Sequence, residues 1–272
     1  LTGAVSVVNV SEIKDIPLGN PVKALQGRVP GVFITTNGDP NSNATVRIRG
    51  VGTLGNNDPL YVIDGIPTKR GLQELNQNDI ESIQVLKDAS AATIYGSRAA
   101  NGVIIVTTKR AKKGYSRISA DISSSLQDYS TKLHTLNTDG RGRAYWQAAV
   151  NDHADPNNNQ IYQYDWNGDY DNPVLNKVIL PEFIDAAKTM RPADTYWYDE
   201  IAQTSLLQTY NVSIANGNEK GNSYFSVGMY NNKGIVKATN QRKITARFNT
   251  DYSFFKGRLK IGENLSATYI RD

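Results

Sequence analysis

The sequence predicts a compact α+β unit followed by a run of long antiparallel strands, and three observations carry the prediction. Up to about Gly114 the apolar residues fall in short runs separated by turns rich in glycine, asparagine and proline. Beyond it they recur at every second position over much longer stretches. Length sets the bound: 272 residues suffice for one large domain or two ordinary ones.

The first half is read element by element. Val5 to Val10 forms a short strand, with a loop after it. Asn20 before Pro21 is a cap and first-turn pair for a brief helix over Val22 to Gln26, stopped by Gly27 and Pro30. Strands are expected at Val32 to Thr35, Thr45 to Ile48 and Leu60 to Ile63, the last ending in the turn pair Asp64-Gly65. The loops between them, Asn37 to Asn43 and Gly52 to Asp58, are dense in turn formers. From Asp79 to Lys109 the chain reads as strand, short helix, glycine turn and strand. Asp88 is placed as the helix N-cap, Ala89, Ala91 and Ala92 as helix formers, and Gly96 as the left-handed stop. Val103 to Val106 is apolar at every residue, which suits a strand covered on both faces.

After Gly114 the strands alternate. Ile118, Ala120, Ile122 and Leu126 share one face, as do Leu206, Tyr210, Val212 and Ile214. Phe225, Val227 and Met229 repeat the pattern, followed by Ile244, Ala246, Phe248, Tyr252 and Phe254. The last strand aligns Leu259, Ile261, Leu265, Ala267 and Tyr269, with Glu263 as the exception. The opposite faces are polar and include Asp121, Lys243, Arg247 and Asp251. Periodicity leaves two readings open: a soluble sheet with one wet face, or a barrel wall with lipid outside and water inside. No apolar run reaches the ~18 residues of a membrane helix, which does not bear on barrel strands.

Three motifs in order carry a family resemblance: Val46-Arg47-Ile48-Arg49-Gly50, Pro59-Leu60-Tyr61-Val62-Ile63-Asp64-Gly65-Ile66-Pro67, and DIESIQVLKDASAATIYGSRAANGVIIVTTK from Asp79 to Lys109. Together they resemble the plug domain of TonB-dependent outer-membrane transporters of the SusC/RagA type. A weaker likeness continues through Tyr196 to Ile201, Tyr210 to Ser213 and Lys233 to Val236. The resemblance implies an α+β plug domain inside a transmembrane antiparallel β-barrel of about 22 strands, of which only about five are present here. It divides the chain into a plug over 1–113 and the N-terminal part of the barrel over 114–272. The segment 129–203 becomes a long extracellular loop, because barrels keep their short turns on the periplasmic side. A helix is expected near Arg143 to Asn151, in a segment whose aromatic, asparagine and aspartate content suits carbohydrate contact and any solvated loop alike.

The same resemblance implies TonB-dependent import of a large nutrient, oligosaccharide ahead of peptide, across the outer membrane of a Gram-negative bacterium of the Bacteroidetes type. Implied partners are TonB with ExbB and ExbD, a SusD-like surface lipoprotein, and outer-membrane lipid. The alternatives are a signalling receptor of the same fold and a soluble β-rich binding or adhesion module. No basic region followed by an apolar one opens the chain and the last strand simply stops, so a trimmed fragment is expected, with its TonB-contacting segment upstream of Leu1.

Candidate site residues follow from the loops. Substrate captured outside would meet the plug's upper loops, which makes Asn37, Asp39, Asn41, Asn43, Asn56, Asn57 and Asp58 candidates for binding. Arg47 and Arg49, two apart on a strand and so on one face, are expected to pair with inward-facing barrel residues. Asp165, Asn167, Asp169 and Asp171 invite a weak calcium reading that departs from the EF-hand, since its sixth and twelfth positions are Tyr170 and Asn176. His134 and His153 stand in no catalytic motif, and neither a nucleophile elbow, a phosphate loop nor a zinc spacing occurs. Neither an enzyme nor a bound cofactor is expected. A net charge of +4 with scattered basic residues gives no nucleic-acid footprint, and Lys109-Arg110 with Lys112-Lys113 reads as a solvated linker.

Overall fold

A computed structural model describes residues 5–9, 18–40, 42–68, 71–87, 93–131, 134–159 and 161–272. The expected helix start at Asp88, Ala89, Ala91 and Ala92 lies outside the described residues, as does Asn41. The chain divides into two compact units, one formed by 1–128 with 203–272 and the other by 129–202.

The first unit begins with the plug. Its strands are β1 (Val5–Asn9), β2 (Val32–Thr35), β3 (Thr45–Ile48), β4 (Leu60–Ile63), β5 (Ile66–Thr68), β6 (Ile80–Leu86) and β7 (Val103–Thr108). Five of them make a mixed sheet in the order β1-β6-β7-β4-β5, and β2 with β3 forms a separate hairpin. β4 runs parallel to β7, so the N-terminal ends of both point away from the linker that follows β7. The expected cap is present: the Asn20 side chain accepts from Val22 N at 3.1 Å and opens a 3-10 turn over Pro21–Leu25. Instead of a continuous helix, the described part of the β6–β7 connection, Thr93–Ala99, is a pair of 3-10 turns broken at Gly96, whose φ is +67°. Both faces of the sheet are covered, as an all-apolar strand requires. Tyr61, Ile83, Ile104 and Val106 pack on one side, and Leu60, Val62, Val103 and Leu86 on the other.

The chain then gives β8 (Ser116–Gln127), α1 (Thr138–Asn151), β9 (Gln163–Trp166), β10 (Leu175–Ile179), α2 (Trp197–Ile201), β11 (Ser205–Gly217), β12 (Gly221–Lys233), β13 (Asn240–Phe254) and β14 (Leu259–Arg271). A wall of five antiparallel strands is ordered β14-β13-β12-β11-β8. Its register stacks the apolar residues in rows across the strands: Ile122, Tyr210, Met229, Ile244 and Tyr269 in one, Ala120, Val212, Val227, Ala246 and Ala267 in the next.

Burial across this wall is inverted relative to a soluble sheet. The apolar face is open, with Ile118 at 73% and Val212 at 50% exposure, while on the polar face Arg247 is 5% and Asn249 2% exposed because the plug covers them. A soluble protein would lose burial free energy of ~25 cal/mol per Å² by this arrangement. Lipid on the open side removes the cost, which is the arrangement of a barrel wall.

The segment 129–202 is a folded unit and not a solvated loop. Trp146, Val150, Tyr162 and Tyr164 form its own buried core, joined by Trp166, Tyr170, Leu175 and Val178. Its helix starts five residues before the expected point because Asn137 caps it, accepting from Gly140 N at 2.8 Å.

Candidate functional site

The first unit brings polar groups together at the plug end remote from the linker and along the seam between plug and wall. At the remote end, a cavity of about 570 Å³ is lined by Asn43, Asn56, Asp58, Tyr61, Arg98 and Asn101 among others. Asn101 Nδ2 donates to the Asn56 carbonyl at 2.8 Å, tying the β6–β7 connection to the loop before β4. Burial, reinforced by the Asp58 charge, pushes the Tyr61 phenol up to about 12, so it stays a neutral hydroxyl at physiological pH.

The candidate loop residues divide. Asn43, Asn56 and Asp58 line this cavity. Asn57 is buried and braces its own loop, accepting from Gly52 N and Thr53 N at 2.9 Å and donating to the Thr53 and Gly55 carbonyls at 2.7 and 3.0 Å. Asn37 accepts from Asp39 N at 3.2 Å in a separate turn.

At the seam, Asp64 closes β4 with φ +48°, a left-handed turn shared with Gly65. That turn directs its carboxylate to Thr108 at the end of β7, where it accepts from the backbone N at 2.8 Å and from Oγ1 at 2.7 Å. From β13, Arg247 reaches into the same spot: its Nη1 lies 3.4 Å from Asp64 Oδ2 and 3.3 Å from Thr108 Oγ1. Its Nε lies 4.0 Å from Asp79 Oδ2, and all three charged side chains are at most 6% exposed. Asn249, next on the same face, donates to Thr108 Oγ1 at 3.0 Å and the Lys109 carbonyl at 2.9 Å. Tyr224 on β12 donates to Asp79 Oδ1 at 2.9 Å. Burial raises the Asp79 carboxyl above the usual carboxylate range, opposed by the Tyr224 hydroxyl and the charges of Arg247 and Lys109.

Two further contacts extend the seam. Lys243 on β13 donates through Nζ to the carbonyls of Gly19, Gln73 and Leu75 at 2.5, 3.0 and 2.9 Å, using all three ammonium hydrogens. Asn76 Nδ2 donates to Asn211 Oδ1 on β11 at 2.9 Å and sits where any Cβ on Gly228 of β12 would lie. Toward the linker, Arg110 pairs with Asp251 and donates to Asn264 Oδ1 at 2.8 Å.

Arg47 and Arg49 are placed differently from expectation. Arg47 Nη1 pairs at 2.5 Å with Asp58 of the plug itself. Arg49 follows the end of β3 with φ +58°, so strand alternation does not put it on the Arg47 face. The plug–wall contacts described above are made by Asp64, Asn76, Asp79, Thr108 and Arg110 on the plug side and by Asn211, Tyr224, Lys243, Arg247, Asn249, Asp251 and Asn264 on the wall side. Their only sequence signals are a charge on the polar face of a strand and the Asp64-Gly65 turn. In the second unit the residues of the calcium reading are held in local turns: Asn167 Oδ1 accepts from Val174 N at 3.0 Å, and Asp169 Oδ1 from Asp171 N and Asn172 N at 2.9 and 3.1 Å. Among the described residues no group of three or more acidic or histidine side chains converges as a metal site.

Comparison with known proteins follows this geometry. The family described as TonB-dependent Receptor Plug Domain matches residues 1–103. The TonB-dependent receptor SusC of Bacteroides thetaiotaomicron is 36% identical over 99% of this chain and 24% of its own length. TonB-dependent receptor P26 of Formosa agariphila is 34% identical over 99% of this chain and 25% of its own. Among solved structures, the RagAB peptide importer in its closed-closed state superposes with a TM-score of 0.75 at 30% identity, covering 99% of this chain and 31% of that one. The chain thus spans about a quarter of the length of the curated relatives it matches, which are receptors and not enzymes. With its plug seated against five strands of inverted burial, the chain belongs to the SusC/RagA-type TonB-dependent receptors, a family of the Gram-negative outer membrane, and comprises the plug domain and the first strands of the barrel.

Proposed function

We propose that this chain is the gating part of an importer for a large nutrient, oligosaccharide ahead of peptide, driven by TonB with ExbB and ExbD and lidded by a SusD-like surface lipoprotein in a Bacteroidetes-type bacterium. In this reading the wall end carrying the linker and the short turns faces the periplasm, and the far end, where β8 leaves the wall and β11 re-enters it, faces outside. The observation that supports it is the seam, where Tyr224, Lys243 and Asn249 of β12 and β13 hydrogen-bond to groups of the plug. Such contacts hold a path shut at modest cost, since each is exchanged for water when the plug shifts. Amides and carboxylates at Asn43, Asn56, Asp58 and Asn101 around the Tyr61 ring match the hydroxyls and apolar faces of sugars. A ligand there rests on β4, whose other end carries Asp64, so substrate and TonB would bias one two-state element from opposite ends.

The test is a tether across the seam in the intact transporter. The chain has no native cysteine, so Thr108→Cys with Asn249→Cys introduces the sole pair within it, at side chains now 3.0 Å apart. Oxidation is expected to abolish uptake of oligosaccharide and reduction to restore it. Unchanged uptake in a fully cross-linked sample would show that the plug does not gate here, and uptake of peptide in place of sugar would correct the substrate class.

A further inference from the structure

The loop between β3 and β4 is framed by a single side chain. Among the described residues no backbone–backbone hydrogen bond falls within 51–58, and the loop's apolar side chains, Val51 and Leu54, are exposed instead of packed. Its shape comes from the Asn57 amide, which is 7% exposed. Oδ1 accepts from the N–H groups of Gly52 and Thr53, and Nδ2 gives its two hydrogens to the carbonyls of Thr53 and Gly55. A carboxylate has no hydrogen to donate and a hydroxyl only one, so no other side chain of this size makes that set.

The loop so framed ties together separate parts of the plug that wall the cavity around Tyr61. Its Asn56 carbonyl accepts from Asn101 Nδ2 of the β6–β7 connection at 2.8 Å, and its Asp58 carboxylate pairs with Arg47 Nη1 of β3 at 2.5 Å. Asn56 Oδ1 in turn accepts from Asp58 N at 2.8 Å, which fixes these two lining residues relative to each other. Asn57 is not among the residues that line the cavity. We propose that Asn57 is the positioning residue of this cavity: it touches no substrate, and it sets the affinity for the bound chain by holding Asn56 and Asp58 in place before that chain arrives. A preformed site spares the ligand the cost of ordering a loop and the side chains on it. Without the amide, 51–58 loses the bonds that frame it, and binding itself has to supply the order. Gating runs through the seam at the other end of β4, so the loss falls on capture and not on passage. The inference rests on the reading of this cavity as the substrate site.

The test uses the full-length transporter in energised cells, with uptake of labelled gluco-, xylo- and mannohexaose measured against concentration. Asn57→Ala is expected to raise the half-saturating concentration roughly tenfold, the cost of ordering two side chains on binding, with the maximum rate unchanged. Asn57→Gln, which keeps the amide one methylene out of place, should lie between. Asn218→Ala removes a brace of the same kind from the turn between β11 and β12, where Oδ1 accepts from Lys220 N and Gly221 N at 2.8 and 3.0 Å, and should match the wild type. Amide exchange of the purified protein without sugar gives a readout free of substrate: the segment 51–58 should exchange faster in Asn57→Ala while β4 and β7 stay protected. Unchanged exchange would overturn the proposal, and so would faster exchange with an unchanged half-saturating concentration. A lower maximum rate with unchanged half-saturation would overturn it in favour of a part in the gate. Should Asn57→Ala fail to fold, seen as lost heat-modifiable mobility, Asn57→Gln is read by the same criteria. Uptake of hexapeptides in place of hexaoses with the same shift would refute the sugar reading and leave Asn57 in its role, so the two failures are separable. A wild type that takes up neither would overturn both.

Discussion

Arg247 faces Asp64 and Asp79 from a position that water does not reach, so its replacement leaves two carboxylates with their main positive partner gone. Breaking such a buried set by removing one member costs roughly 3–5 kcal/mol. Arg247→Ala is therefore expected to release the plug, read as faster amide exchange at Asp79, Thr108 and Lys109 in the intact barrel, with exchange in β12 and β13 unchanged. Asp79 adds a pH dependence whose sign follows from its raised value. Its proton is held more tightly in the seated plug than in the released one. The stabilisation is therefore complete below the ordinary carboxylate range of ~4 and is lost as pH rises through the raised value. Plug release should become easier as pH rises above the ordinary carboxylate range, and Asp79→Asn should flatten the profile. A steeper profile in the variant would refute the assignment. Of these residues the alternation made Arg247 visible as an inward charge, but its partners lie far away in sequence, and no local pattern names them.

The segment 129–202 illustrates the same limit for whole elements. Its aromatic content suits carbohydrate contact and any solvated loop alike, yet Trp146, Tyr162 and Tyr164 turn inward and hold α1 on the β9–β10 hairpin. Gly142 is the closest point of that contact: a Cβ there would lie 2.5 Å from Val178 Cγ1 and 3.1 Å from the Tyr162 ring. Gly→Ala within a helix normally gains about 1 kcal/mol. Here Gly142→Ala is expected to destabilise the unit, seen as a red shift of tryptophan emission and faster proteolysis between 129 and 202, while the wall stays resistant. A stabilised unit would show that the helix can shift to make room. The helix itself was foreseeable from composition. Its earlier start came from Asn137, whose capping role was not read from the sequence.

For the molecule as a whole, inverted burial makes one substitution diagnostic. Val227 lies in the row of Val212, Ala246 and Ala267, at 43% exposure in the isolated chain. On a soluble sheet Val227→Arg would be nearly neutral. In a barrel wall it should cost roughly 2–4 kcal/mol near the bilayer midplane, measured as a lower urea midpoint for the full-length protein folded into vesicles. No shift would mean that this face does not meet lipid.

The described plug strands other than β5, all five wall strands and the residues that share each wall face were legible in the chain, because period-two alternation and turn chemistry are local properties that neighbouring residues carry between them. Which face would be buried was not, since the same alternation serves a soluble sheet and a membrane wall until something covers the polar side. The cavity around Tyr61 and the Asp64–Arg247–Asp79 cluster depend on strand register and on contacts between residues far apart in sequence. Those are fixed by how β4, β7 and β13 pack and pair, and no window of sequence contains that information.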